Sequence, residues 1–455
     1  MKRLVGVVAV LAACAEGQVA PADAAIDQPA PLDSAAPLDQ PAPADRPTPL
    51  DRPAPLDVPT PDVSVVTPDV PVDVPAVVDA GDPSRGRLGA LSRDGDTVTL
   101  RTHPTVNYRG VDAAYDPERR VFLAVYGNGP IGGALLDDEG RQVGDGFRLT
   151  DAPFGEGSWT QLPRVAYGGG AFMVTWHLEA PGGVRVQARR VRVSADGASP
   201  EFDGPAVTVS PPGSKQESPA ALAWSPSSRE FLAVWARQGV KARRLSAAGE
   251  PLGEVVALSE EGVWAEQPSV VAHPSGGYFV AYMQESAGSA RVALARVEDG
   301  TARVTSTRDL TGPIAFAKVT DVALDADRGE VIASWYEVRG GVSGFAAQRF
   351  AADGSPRSER TLIFAPHGSY DGYDLAWSPA TGTALGVFHG PAAEVFGAEL
   401  DVGLANRAPE VLTMSGARNG LYLPRAVAHP TRPWWLVFGS ADYARVTVQR
   451  VRRGP

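Results

Sequence analysis

The sequence predicts an all-β fold made of one unit repeated seven times, and three observations carry that prediction. The first is the unit, clearest around residues 221–258. An apolar run (Ala221 to Trp224) leads into a Ser225-Pro226-Ser227-Ser228 turn, and a second run ends in an aromatic (Phe231 to Trp235). An alternating run (Val240 to Leu245), a turn at Gly249 and a fourth run (Val255 to Leu258) complete it. Four short strands joined by turn signals form one antiparallel sheet, which cannot bury both of its faces alone. The second observation is recurrence. The second strand ends at Tyr126, Trp176, Trp235, Tyr282, Trp335, Phe388 and Phe438, at spacings of 50, 59, 47, 53, 53 and 50 residues. The third is closure. The seventh unit stops where its fourth strand should begin, and a spare strand, Asp94 to Leu100, stands at the other end. Together these predict a seven-bladed β-propeller of four-stranded antiparallel blades over residues 86–455, its last blade completed from the N-terminal side. A pair of β-sandwiches would not give seven copies of one unit.

Composition narrows the rest. The chain has 455 residues, 44% of them apolar, and one cysteine, so its core needs no disulfide within the chain. The net charge of −11 is unevenly placed. Residues 15–84 carry thirteen acidic side chains against two arginines, which leaves the repeat region close to neutral. Nucleic acid, which needs a basic surface, is not an expected partner.

Taken in order, the chain opens with a charged pair, Lys2-Arg3, and an apolar run from Leu4 to Ala13 that is too short to span a bilayer. The run ends in Leu11-Ala12-Ala13-Cys14, and Cys14 is the one cysteine of the chain. This stretch resembles the signal of bacterial lipoproteins. The resemblance implies a signal peptide over 1–13, lipidation (palmitate among the acyl chains) at Cys14, and three chains in all, more than the two signals that stable anchoring takes. Ala15 after the cysteine implies the outer membrane, facing the periplasm or the cell surface. Residues 14–85 read as a disordered Pro/Asp-rich linker. Asp27, Asp33, Asp39, Asp45, Asp51 and Asp57 recur every six residues among prolines. Such a segment lacks the apolar mass to fold, and proline and like charge both favour extension. At ~3.1 Å per residue in polyproline II it would reach up to about 200 Å.

Within the repeats, Ala195-Asp196-Gly197, Glu298-Asp299-Gly300 and Ala352-Asp353-Gly354 read as turns between third and fourth strands that need a positive φ. The strand-end aromatics read as packing between blades. Arg190, Arg244, Arg296, Arg349 and Arg450 recur near the end of the third strand and read as solvated residues that ward off edge pairing. His177 and His389 each follow the strand-end aromatic in repeats two and six. Those repeats lie nearly opposite one another in a ring of seven, so the two rings cannot converge on one metal ion with bonds of ~2 Å. His273-Pro274 and His429-Pro430 read as turn chemistry.

No nucleophile elbow, phosphate loop, zinc motif or calcium loop is present in the sequence, so no metal or cofactor is expected. In architecture the chain resembles the lipoprotein propeller that assists outer-membrane barrel assembly, although the repeats look different. The loops from each fourth strand to the next first strand end at the propeller axis, and they supply the candidate ligand-binding residues. These are Trp159, Gln161, Lys215, Trp264, Glu266, Tyr370, Tyr373, Asp374 and Tyr422. Exposed aromatics beside carboxylates and amides suit a glycan or a peptide. The sequence therefore points to a membrane-anchored binding or scaffold module for a protein or glycan partner. The alternative is a glycan hydrolase or lyase using carboxylates at the axis, with Glu156, Glu217, Glu266, Asp321 and Asp374 as candidates.

Overall fold

The computed structural model describes residues 90–100, 107–128, 130–150, 159–180, 183–211, 220–364, 372–389, 395–406, 410–412, 424–441 and 445–453. They form a seven-bladed β-propeller. Blade 1 holds Asn107–Asp116, Val121–Asn128, Gly132–Leu136 and Gln142–Arg148 from the axis outward. Blade 2 holds Trp159–Gly168, Ala171–Ala180, Gly183–Val193 and a broken outer strand, Pro200–Phe202 with Val207–Thr208. Blade 3 holds Ala221–Ser225, Glu230–Arg237, Gly239–Ser246 and Pro251–Ala257. Blade 4 holds Trp264–Ala272, Tyr278–Ser286, Ser289–Val297 and Val304–Asp309. Blade 5 holds Phe316–Asp325, Glu330–Arg339, Val342–Phe350 and Thr361–Phe364. Blade 6 holds Tyr373–Ser378, Thr383–His389, Val395–Leu400 and Glu410–Val411.

Blade 7 is built from both ends of the repeat region. Arg425–Ala428, Trp434–Ala441 and Arg445–Arg453 supply three strands. The fourth comes from the N-terminal side as Leu91–Arg93 and Val98–Thr99, both antiparallel to Arg445–Arg453. The closing strand predicted from the sequence is therefore present, in two pieces separated by a bend at Gly95 (φ 82°). Asp94 fixes that bend, since its carboxylate lies 2.7 Å from Arg450 Nε. Pairing the spare strand here removes a free sheet edge and joins the first blade to the last.

Each blade is apolar on both faces, and the core divides accordingly. Seven clusters of buried side chains fill the seven interfaces between successive blades, including the one between blades 7 and 1. Tyr126, Trp176, Trp235, Tyr282, Trp335 and Phe388 each face the preceding blade. Phe438 departs from the series: it packs with Tyr126 and Phe122 of the following blade. Counted from the turn, it stands one residue earlier in its strand than the other six, opposite Arg425. In a strand a shift of one residue moves a side chain to the other face, so the seventh repeat carries its aromatic on the reverse side.

Turn chemistry follows the sequence where the backbone demanded it. Gly197, Gly300 and Gly354 have φ of 74°, 70° and 82°. The turns between first and second strands do more than turn. His273 Nε2 lies 3.1 Å from the carbonyl oxygen of Gly329 in blade 5, and His429 Nε2 lies 3.0 Å from Asp138 Oδ1 in blade 1. Both histidines bridge to the next blade. The recurring arginines are also not solvated edge residues. Arg349 is buried between Asp325 (3.0 Å) and Glu330 (2.8 Å), and Arg244 is half-buried against Glu230. Their aliphatic stems cover apolar surface while the head group finds a carboxylate.

Candidate functional site

Seven inner strands surround the axis, and each presents a free edge. An unpaired edge strand carries backbone N–H groups that need acceptors. One side-chain position per blade faces this problem. Register gives it as Asp112 (opposite Val125), Arg164 (Thr175), Ala221 (Val234), Ser269 (Ala281), Asp321 (Ser334), Asp374 (Val387) and Arg425 (Phe438). All seven line one axial cavity of 420 Å³.

Four of these side chains reach across to the next blade and accept its edge N–H. Asp112 Oδ2 accepts from Val165 N at 2.9 Å, and Ser269 Oγ from Val322 N at 3.3 Å. Asp321 Oδ2 accepts from Leu375 N, and Asp374 Oδ2 from Ala426 N, each at 2.7 Å. The remaining lone pairs are also used. Asp321 Oδ1 accepts from Ser269 Oγ at 2.7 Å and from its neighbour Val322 N at 2.8 Å. Asp374 Oδ1 accepts from the Arg425 guanidinium, which also stands 4.0 Å from Asp112 Oδ1. A chain of polar groups thus runs from blade 4 through blades 5, 6 and 7 to blade 1 and on to the edge of blade 2.

Burial and mutual charge shift these groups in opposite directions. Asp321 is pushed up to about 7, first by burial and then by the neighbouring Asp374 carboxylate. Burial also raises Asp112, against the pull of Arg425. The Arg164 guanidinium is pushed down to about 10 by burial and by Arg425, so it stays charged at neutral pH. For Arg425 burial acts to lower the pKa, and the Asp374 and Asp112 carboxylates outweigh it and raise it.

The rim of the cavity is bent backbone. In blades 2, 4 and 5 the inner strand breaks register just before the axial position. The residues at the break, Leu162, Gln267 and Val319, have φ of 48°, 47° and 50°. A β-branched residue in that region is a true outlier. Neighbouring blades hold it there: Val319 N donates to Gln267 Oε1 at 2.8 Å, and Thr320 Oγ1 donates to the carbonyl oxygen of Gln267 at 2.6 Å. Strain of this kind persists only where the surroundings over-determine it, and it clusters at ligand sites.

The candidates read from the sequence fall in several places. Asp374 is at the axis, buried and paired. Tyr373, beside it, is buried between blades 5 and 6 with its ring stacked on Phe345 at 4.3 Å. Trp264 and Glu266 lie at the start of an inner strand rather than in a loop. Trp264 is 37% exposed, and its indole N–H donates to Glu266 Oε1 at 3.2 Å. Neither residue lines the axial cavity. Trp159 and Gln161 likewise open the inner strand of blade 2, where the backbone of Gln161 pairs with Asn128 of blade 1. Cys14, Lys215, Tyr370 and Tyr422 lie outside the described residues, as do Glu156 and Glu217.

Sequence reasoning did not single out Asp112, Arg164, Ser269 or Arg425. A signal for three of them exists. Pro163, Pro268 and Pro424 directly precede Arg164, Ser269 and Arg425, twice within Leu-Pro-Arg. Proline has no N–H, so these positions present no donor to the free edge, and the next side chain is the one at the axis.

Among the described residues no cluster of three or more His, Cys, Asp or Glu side chains has metal-binding geometry. No protein-family model matches the chain. No curated protein matches it. Among solved structures it is similar to Raptor from Chaetomium thermophilum, with a TM-score of 0.51 at 10% identity over 78% of this chain and 30% of that one. Lower likenesses are the WD40 domain of coronin from Toxoplasma gondii and a GH43 endo-arabinanase from Bacillus licheniformis. The first has a TM-score of 0.49 at 12% identity, over 80% of this chain and 87% of that one. The second has a TM-score of 0.34 at 13% identity, over 56% of this chain and 99% of that one. The likeness to Raptor is one of fold alone, and the chain spans 30% of that protein's length.

Proposed function

We propose that this chain is a membrane-anchored outer-membrane lipoprotein whose propeller is a binding or scaffold module for a protein or glycan partner. In this reading Cys14 carries the lipid, residues 14–85 are the tether, and residues 86–455 present the binding surface. The observation that favours binding over hydrolysis is the state of the axial carboxylates. A glycosidase needs a carboxyl free to give a proton and another free to attack or to activate water. Asp374, the carboxylate that would attack or activate water, instead accepts from Ala426 N and from Arg425. Asp321, although it holds its proton up to about 7, has both oxygens engaged by Leu375 N, Val322 N and Ser269 Oγ.

The anchor and the surface are tested separately. Cys14→Ser is expected to leave an unprocessed precursor that does not label with palmitate; a labelled, membrane-bound variant would refute the anchor. Detergent-solubilised full chain, used as bait in pull-downs and on glycan arrays, is expected to capture a discrete partner. Trp264→Ala is expected to weaken that capture by more than about 1 kcal/mol, as loss of an exposed aromatic contact does. Its melting temperature should stay close to that of the parent, because the side chain is 37% exposed. Loss of many degrees would make Trp264 a packing residue.

A further inference from the structure

We propose that the axial cavity is a binding site for a small carboxylate ligand, held by the Arg164 guanidinium and by the open edge amides of Leu222 and Val270. This deepens the reading of the chain as a binding module and rests on it.

The ring of inter-blade caps is interrupted at three of the seven blades. Blades 1, 4, 5 and 6 each send an oxygen to the edge N–H of the following blade. Blade 2 holds Arg164 at that position, which has no acceptor, and blade 3 holds Ala221, whose side chain has no polar atom. Blade 7 holds Arg425, so the Ala113 amide of blade 1 is likewise uncapped, beside a cation already paired with Asp374. The N–H groups equivalent in register to Val165 N are those of Leu222 in blade 3 and Val270 in blade 4. Among the described residues no side-chain acceptor from the preceding blade is within hydrogen-bond reach of either, and both residues line the cavity. Two adjacent blades thus point uncapped donors at one space.

The cation beside them feels the Asp112, Asp374 and Asp321 carboxylates from across the cavity without contact with any of them. Arg164 Nη1 donates to the carbonyl oxygen of Pro163 at 3.2 Å, and no carboxylate of the described residues stands within ion-pair distance of it. A guanidinium has five N–H donors in a planar fork that fits a carboxylate two bonds at a time. Here it is half-buried, surrounded by protein but open to the cavity. Arg425, the other axial cation, has no such vacancy, since Asp374 already occupies it. In blades 1, 5 and 6 a carboxylate from the chain fills this position, and in blade 4 the Ser269 hydroxyl does. An incoming carboxylate would complete the pattern with the same chemistry. The strained residues Leu162 and Gln267 lie on the blades that hold these donors, and Val319 on the next; all three line the cavity.

The cavity of 420 Å³ limits the ligand to a small one, at the lower end of the ~300–1,000 Å³ that ligand pockets span. A single uronic acid or a hydroxy acid meets that limit. Three carboxylates (Asp112, Asp321 and Asp374) and two guanidinium groups (Arg164 and Arg425) face the same space, so the ring is charge-balanced only while Asp321 holds its proton. A dianion is disfavoured, and a monoanion would sit at Arg164, the guanidinium with no bonded carboxylate.

The test is calorimetric titration of the full chain in detergent, at low salt and pH 6, with D-glucuronate, D-lactate and sulfate, and with D-glucose as the neutral control. Binding of glucuronate or lactate without binding of glucose or sulfate is the expected result. Glucuronate alone would assign an acidic sugar, and equal binding of lactate a free organic acid. Arg164→Gln is expected to weaken binding at least about tenfold with its melting temperature preserved. Ala221→Asp, which supplies the missing carboxylate from within the chain, is expected to weaken it as much. No binding of either carboxylate by the parent overturns the proposal, as does unchanged affinity in folded Arg164→Gln. Should Arg164→Gln not fold, retained binding in Ala221→Asp overturns it and lost binding supports it. Failure of both variants to fold would make Arg164 a structural cation and overturn it as well. A partner found by pull-down whose capture ignores Arg164→Gln would leave the binding-module reading intact and this site refuted.

Discussion

The inner and outer edges of the ring pose the same physical problem and solve it differently. Both are sheet edges with unpaired backbone groups. On the outside the solution is water and long charged side chains. The outer strand of blade 4 is almost wholly exposed, and in the rim pair Arg192–Asp203 the arginine is exposed and the aspartate half-buried. On the inside, where seven strands converge, carboxylates of one blade take the amides of the next. The outer arrangement tolerates change because solvent replaces whatever is lost. The inner one is a linked set of buried charges, so losing a member leaves another uncompensated. Position along the blade therefore decides whether the same residue type, Asp or Arg, matters.

Opening the ring itself has the largest expected effect. Deleting residues 90–100 removes the outer strand of blade 7 and exposes the edge of Arg445–Arg453. The expected result is loss of a single cooperative melting transition, whereas deleting residues 20–80 should leave that transition near its original temperature. Equal behaviour of the two deletions would refute closure by the N-terminal strand. Next in size is Asp374→Ala. It strands Arg425 in the channel and orphans the amide of Ala426, for an expected cost of about 3–5 kcal/mol by chemical denaturation. Its outer counterpart, Arg192→Ala, should fall within ~0.5 kcal/mol of the parent. Comparable costs for the two would erase the distinction between the edges.

The smallest effect is the most specific. The folded state holds the Asp321 proton up to about 7, against 3.8 for an ordinary aspartate. Between those values the folded protein binds more protons than the unfolded chain, so this residue makes stability fall as pH rises through that window. Asp321→Asn is expected to flatten the pH dependence between pH 4 and about 7 relative to the parent. A difference between the two proteins that does not change with pH would show that Asp321 is not protonated in the ring.

Much of the fold was legible before any coordinates. The strand-end aromatics, the glycine turns and the spare strand at residues 94–100 are local signals with a fixed period, and period and turn chemistry are written in the sequence. Phe438 also packs between blades, as its period implies, but the period conceals a shift of one residue. Phe438 looks like the seventh member of its series, yet its strand is set one residue off and it faces the other blade. The recurring arginines looked like exposed edge residues because nothing nearby in sequence announces that Asp325 and Glu330 will enclose Arg349.

The site divides along the same line. The number of blades, the position of their turns and the place of Asp374 near the axis can all be read from residue order alone. Only the tertiary structure decided that Asp112, Arg164, Ser269, Asp321, Asp374 and Arg425 share one cavity, because they come from six blades spread over more than 300 residues. It also decided which of them are occupied. A carboxylate is committed or free according to the amide that the next blade brings within reach. That amide is set by closure of the whole ring, which no stretch of sequence contains.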